Sequence, residues 1–123
     1  DKNGSRMPLD CQPYHGYRNF QGKMLDDLDI HWTQLKVNRR FGRKDQKTWR
    51  YQYKRHGTCC QELYNQDMYF SLALGLKRKV DLLRTLSEHK IIPGGYYTAD
   101  EIIKAVKTVS NLEPNINCMK GPK

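Results

Sequence analysis

The chain has 123 residues, room for one domain, and its 22 Lys and Arg against 13 Asp and Glu give a net charge of +9. A positive field of that size favours an anionic partner: nucleic acid, an anionic polymer or an acidic protein. Apolar residues make up 37% and form no run near the roughly 20 residues of a membrane-spanning helix, and the four cysteines, at 11, 59, 60 and 118, include no C-x₂-C pair for a zinc ribbon or finger.

Residues 1–24 are loop-like, with Asn-Gly, two prolines and little periodicity. "LDDLDIHWTQL" then predicts a short helix with Leu25, Leu28, Trp32 and Leu35 on one face. "KVNRRFGRKDQK" holds six Lys or Arg in twelve residues and reads as an exposed basic loop. In "TWRYQYKRHGTCC", Trp49, Tyr51 and Tyr53 alternate with Arg50, Gln52 and Lys54, which fits a strand or the start of a helix. "NQDMYFSLALGLKRKV" predicts a helix with Asn65 as N-cap, Asp67 in the first turn and a core-facing stripe of Met68, Leu72 and Leu76. "DLLRTLSEHKI" predicts another, with Asp81 as N-cap and Leu82, Leu83 and Leu86 on one face. "IIPGGYY" is a turn, and "TADEIIKAVKTVSN" opens with a capping box of Thr98 and Glu101 that places Ile102, Val106 and Val109 together before Pro114 stops the helix. The balance is α+β, with helices dominant in the second half.

Adjacent cysteines bridge each other with difficulty, so Cys59 and Cys60 face different partners, and the chain itself offers Cys11 and Cys118. This cysteine usage, with the glycan-acceptor sequon Asn3-Gly4-Ser5, points to a secreted, extracellular protein. His15, His31 and His89 read as structural or solvated.

The chemistry gathers at His56. Cleaving RNA through its own 2′-hydroxyl needs a base for the 2′ proton, an acid for the leaving 5′ oxygen and a cation at the phosphorus centre. Histidine titrates near neutrality and suits both proton tasks, and the neighbouring Arg55 offers a guanidinium that matches phosphate oxygens. Gly57 lets a phosphate approach the backbone closely.

"KRHGTCC", with Trp49 seven residues before His56, resembles the second active-site motif of the ribonuclease T2 family, and the run from Tyr64 to Val109 resembles the same family. The doubled cysteine and "LLRTLSEHKIIPG" are most similar to the self-incompatibility S-ribonucleases of the nightshade group. The family motif reads Trp-x-His-Glu-x-x-Lys-His-Gly-Thr-Cys. Trp49, His56, Gly57, Thr58 and Cys59 match it, whereas Tyr51, Gln52 and Arg55 stand where the motif has histidine, glutamate and lysine.

The resemblance implies helices packed on an antiparallel sheet, incomplete in this chain, with His56 as a catalytic histidine acting as the base beside Arg55 and Gln52. It implies a disulfide between Cys11 and Cys59, a loop closure worth roughly 4 kcal/mol. It implies a monomeric, secreted endoribonuclease that leaves 2′,3′-cyclic phosphate ends without metal or cofactor. RNA is then the substrate, and pollen recognition proteins of the F-box type are partners in rejecting self pollen. Residues 12–22 and 36–47 are the expected carriers of allele specificity. The family's His-Gly-Leu-Trp-Pro motif belongs upstream of Asp1, so the chain reads as an internal piece of a longer enzyme, inactive or nearly so by itself. The alternative is a catalytically inactive relative serving in storage, defence or recognition.

Overall fold

The computed structural model describes residues 8–110 and 112–117; Asn3 and Cys118 lie outside them. Contacts gather into two units, Asp1–Leu76 and Lys77–Lys123. Every regular element among the described residues is a helix, so the expected antiparallel sheet is not found there. None of these helices is long and apolar enough to cross a membrane.

In the first unit, α1 spans Gly22–His31 and buries Leu28 completely. It stops earlier than the sequence pattern predicts. The Trp32 N–H still bonds the Leu28 carbonyl (2.8 Å), but Trp32 leaves helical geometry and its own carbonyl accepts from the Trp49 indole at 2.9 Å. Leu35 therefore falls off the buried face and is 91% exposed.

The expected basic loop contains a helix, α2 (Arg39–Asp45), capped by the Asn38 side chain on the Arg40 N–H at 3.0 Å. Its basic residues are not all solvated. Arg39 and Arg43 converge on Asp29 of α1 at 2.6 and 3.0 Å, and Arg43 also reaches Asp26 at 2.7 Å. Burial alone would push the Asp29 carboxyl up, but hydrogen bonds and charge from the two guanidiniums outweigh it and hold it below its usual range.

Gln46, in the left-handed region at φ 52°, joins α2 to α3 (Lys47–Arg55). The alternation that fitted a strand resolves as helix because Trp49 and Tyr53, four apart, are both buried on one face while Tyr51 points outward. A 3₁₀ turn, Gly57–Cys60, leads to α4 (Gln66–Lys79), whose start is capped by Asn65 on the Met68 N–H at 2.9 Å. The predicted stripe of α4 is wrong: Met68, Leu72 and Leu76 are exposed, and Phe70 and Leu74 are buried. Residues 68–76 carry apolar side chains around much of the helix, so periodicity offered two faces. Aromatic packing selects one. Phe70 meets Phe20, Trp32 and Tyr69 with ring centroids 5.1, 5.4 and 5.1 Å away.

Residues 10–20 have no regular structure, yet they are tied down by glutamine side chains that bond a loop peptide as a neighbouring strand would. The Gln46 amide accepts from the Phe20 N–H and donates to the Phe20 carbonyl, both at 2.8 Å. Gln66 does the same for Arg18 at 2.9 and 2.7 Å. Gln61 accepts from the Tyr14 N–H at 2.7 Å and donates to the Gln12 carbonyl. For the backbone groups they reach, these bonds take the place of a ladder.

The second unit pairs α5 (Leu82–Glu88) with α6 (Ala99–Lys107). Asp81 caps α5 on the Arg84 N–H at 3.2 Å, but Leu82 and Leu83 of the expected apolar face are exposed, Leu83 at 76%. The turn between the helices uses Gly94 at φ 85° and is closed by the Tyr97 hydroxyl, which accepts from the Ile92 N–H and donates to the Lys90 carbonyl. The capping box of Thr98 and Glu101 forms in both directions. The side chain and backbone of Thr98 hold the Glu101 carboxyl below its usual range.

Candidate active site

His56 stands at the C-terminal end of α3, half-buried. Its N–H still donates to the Gln52 carbonyl at 2.9 Å, and its carbonyl accepts from the Cys59 N–H at 3.1 Å. The residue is thus held by the last turn of α3 on one side and the 3₁₀ turn on the other. Two further anchors fix that turn. The buried Thr58 hydroxyl donates to the Lys54 carbonyl at 2.8 Å, and Cys59 is bonded to Cys11, with Cα atoms 5.0 Å apart.

Packing places its own demand on Gly57. A β-carbon there would run into the ring of Tyr53, which is buried and cannot swing away. The glycine is required for close packing of the turn against α3, which aims the preceding histidine.

A concavity of about 400 Å³ opens beside this turn, lined by Pro8, His56, Cys59, Cys60 and Tyr69. Burial, with a smaller contribution from Cys60, raises the pKa of Tyr69. The concavity therefore brings an imidazole and a phenol side by side. Gln52 lies one helical turn before His56 and is half-buried like it. Arg55 has a partner that its motif does not reveal. Its guanidinium meets the Asp10 carboxylate at 3.2 Å, and its carbonyl accepts from the Asp10 N–H at 2.8 Å. Tyr69 was equally illegible, because its place beside the site follows only once Phe70 is known to be the buried residue of α4. No three of His, Cys, Asp and Glu converge as metal ligands would among the described residues.

His15 lines a second concavity of about 560 Å³ with Tyr14, Arg18, Tyr53 and Asn65, and the Nδ1 of His89 lies 2.9 Å from the Thr85 carbonyl at the end of α5.

The profile of the ribonuclease T2 family matches residues 1–123. Ribonuclease S-F11 of Nicotiana alata is 55% identical over 113 residues, 92% of this chain and 58% of that protein. Ribonuclease S-2 of Solanum tuberosum is 50% identical over 122 residues, 98% of this chain and 55% of that protein. The chain thus spans little more than half the length of these relatives. The crystal structure of the gametophytic self-incompatibility associated SF11-RNase of Nicotiana alata superposes with a TM-score of 0.90 at 52% identity, covering 98% of this chain and 61% of that one. The helices described above are that fold's.

Proposed function

The chain belongs to the ribonuclease T2 family, and on that premise we propose that it is part of a secreted endoribonuclease that acts in gametophytic self-incompatibility. In the reaction the 2′-oxygen attacks phosphorus and the bond to the 5′-oxygen breaks, leaving a 2′,3′-cyclic phosphate. His56 takes the 2′ proton, and a separate acid returns a proton to the leaving 5′-oxygen. Arg55 supplies fixed positive charge toward the phosphate, with Asp10 setting its direction, and Gln52 donates a hydrogen bond from the next turn of α3. Residues 12–22 and 36–47 present the side chains that a pollen partner of the F-box type reads.

The observation that carries this reading is the placement of His56. Its backbone is fixed by hydrogen bonds to Gln52 and Cys59, and it lines a concavity together with Tyr69. The test is His56→Ala in the longer enzyme of which this chain is part, assayed on RNA against the unsubstituted enzyme. Cleavage falls by about 10²–10⁴-fold with the far-ultraviolet circular dichroism unchanged. Retained cleavage would overturn the assignment.

A second reading, a binding protein that has lost the chemistry, is favoured by Tyr51 and Gln52 in place of the motif's histidine and glutamate and by the ion pair that Asp10 makes with Arg55. Under it, native protein shows no cleavage above that of His56→Ala.

A further inference from the structure

The positive charge is concentrated in one segment. Residues 36–55 contain nine Lys or Arg and one acid, a net of +8 in a chain whose total is +9. Three of those cations meet carboxylates from outside the segment: Arg39 and Arg43 on α1, and Arg55 on Asp10. The outer face of α3 keeps the rest of its charge. Lys47, Arg50, Tyr51 and Lys54 are all exposed and fall at i, i+3, i+4 and i+7, a single face opposite the buried Trp49 and Tyr53.

Among the described residues, the one carboxylate within ion-pair reach of these three cations is Asp45, 3.9 Å from Lys47. Arg50 is further held in place, since it donates to the Asn19 side chain at 3.1 Å and its guanidinium lies over the Tyr17 ring, 5.6 Å from the centroid. A fixed cation is a better phosphate partner than one free to sweep through solvent, because less conformational entropy is lost on contact.

We propose that this face of α3 is a second RNA-binding site, on which Lys47, Arg50 and Lys54 hold backbone phosphates and Tyr51 stacks a base. The three cations span about 10 Å of helix axis, and the helix ends at His56, so a strand lying along the face runs toward the candidate catalytic histidine. The direction of the strand rests on the ribonuclease reading; the affinity of the face does not. An aromatic ring set among cations favours RNA over an acidic protein, because every base offers a π face to stack and a carboxylate offers none. The chemistry that recognises the ligand is thus a single-stranded polynucleotide backbone with unpaired bases.

The test is binding of a 2′-O-methyl oligonucleotide, which lacks the attacking hydroxyl, to the full chain between 50 and 200 mM salt, read by fluorescence anisotropy. Replacing Lys47, Arg50 and Lys54 together by glutamine lowers the salt slope by about 2, at about 0.7 per phosphate contact on a single strand, so wild type loses about 20-fold more affinity than the variant over that range. A charge-matched control, Arg78, Lys79 and Lys104 to glutamine, leaves the slope near the wild-type value. An equal change in the control would overturn the proposal, because net charge alone would then account for the effect. Tyr51→Ala weakens the oligonucleotide by about tenfold and leaves inorganic polyphosphate, which has no bases, unchanged. Equal behaviour of the two ligands would also overturn it, in favour of a general polyanion or acidic-protein surface. Because the oligonucleotide is never cut, the result stands apart from the His56→Ala assay. Either reading can fail alone.

Discussion

Residues 10–20 and residues 90–98 are both segments without regular structure that lie next to helices, and they are secured by opposite strategies. The first is tied to positions 26 to 49 residues away, through the disulfide to Cys59 and through the side chains of Gln46, Gln61 and Gln66. The second is closed within itself by Tyr97 and the Thr98–Glu101 box, and among the described residues the side-chain hydrogen bonds of residues 81–113 join positions at most seven apart. Long-range ties cost more chain entropy to form, but they fix distant elements against each other. Local ties form readily and fix only their own turn. The candidate active site lies where the long-range ties are concentrated, which is what aiming one histidine from the end of a helix requires.

Substitutions can test that contrast. Replacing Cys11 and Cys59 together by alanine removes a 48-residue closure and costs about 4 kcal/mol on the chain-entropy estimate, read as a lower denaturation midpoint. Gln46→Ala leaves the Phe20 N–H and carbonyl and the Tyr17 hydroxyl without their partner in a buried setting. It costs about 3 kcal/mol, with lost hydrogen-exchange protection at the Phe20 amide. Thr98→Ala removes the α6 cap for about 1 kcal/mol, and the lost protection stays within the first turn of α6. If Thr98→Ala reduced protection at Phe20 or at the core of α3, the contrast between far-reaching and local ties would fail.

The same contrast governs how much could be read from the sequence. The α6 capping box and the Asp81 and Asn65 caps depend on residues three apart, and all three form as their spacing predicts. Helix α2 was missed because its stabilising carboxylates, Asp26 and Asp29, lie on a different element, so its arginines looked solvated. The buried face of α4 was missed because apolar residues surround the helix and the choice falls to Phe20 and Trp32, distant in sequence. At the site, His56 was legible from a compact motif. Its supports were not: the Tyr53 ring over Gly57 and the Asp10 carboxylate on Arg55 appear only when the chain is folded. The glutamines left no signal at all, because nothing in a sequence separates a clamping amide from an ordinary surface one.

Those glutamine clamps have a consequence for variation. Each grips main-chain atoms, the N–H and carbonyl of Arg18 and Phe20, the N–H of Tyr14 and the carbonyl of Gln12. What the clamps recognise is therefore the same whatever side chain stands at those positions. The outward-pointing residues of the segment, Gln12, Tyr14, His15 and Arg18, can be exchanged while the clamping bonds that place the segment remain. Held in this way, the segment keeps its outline while its surface chemistry can be changed by substitution.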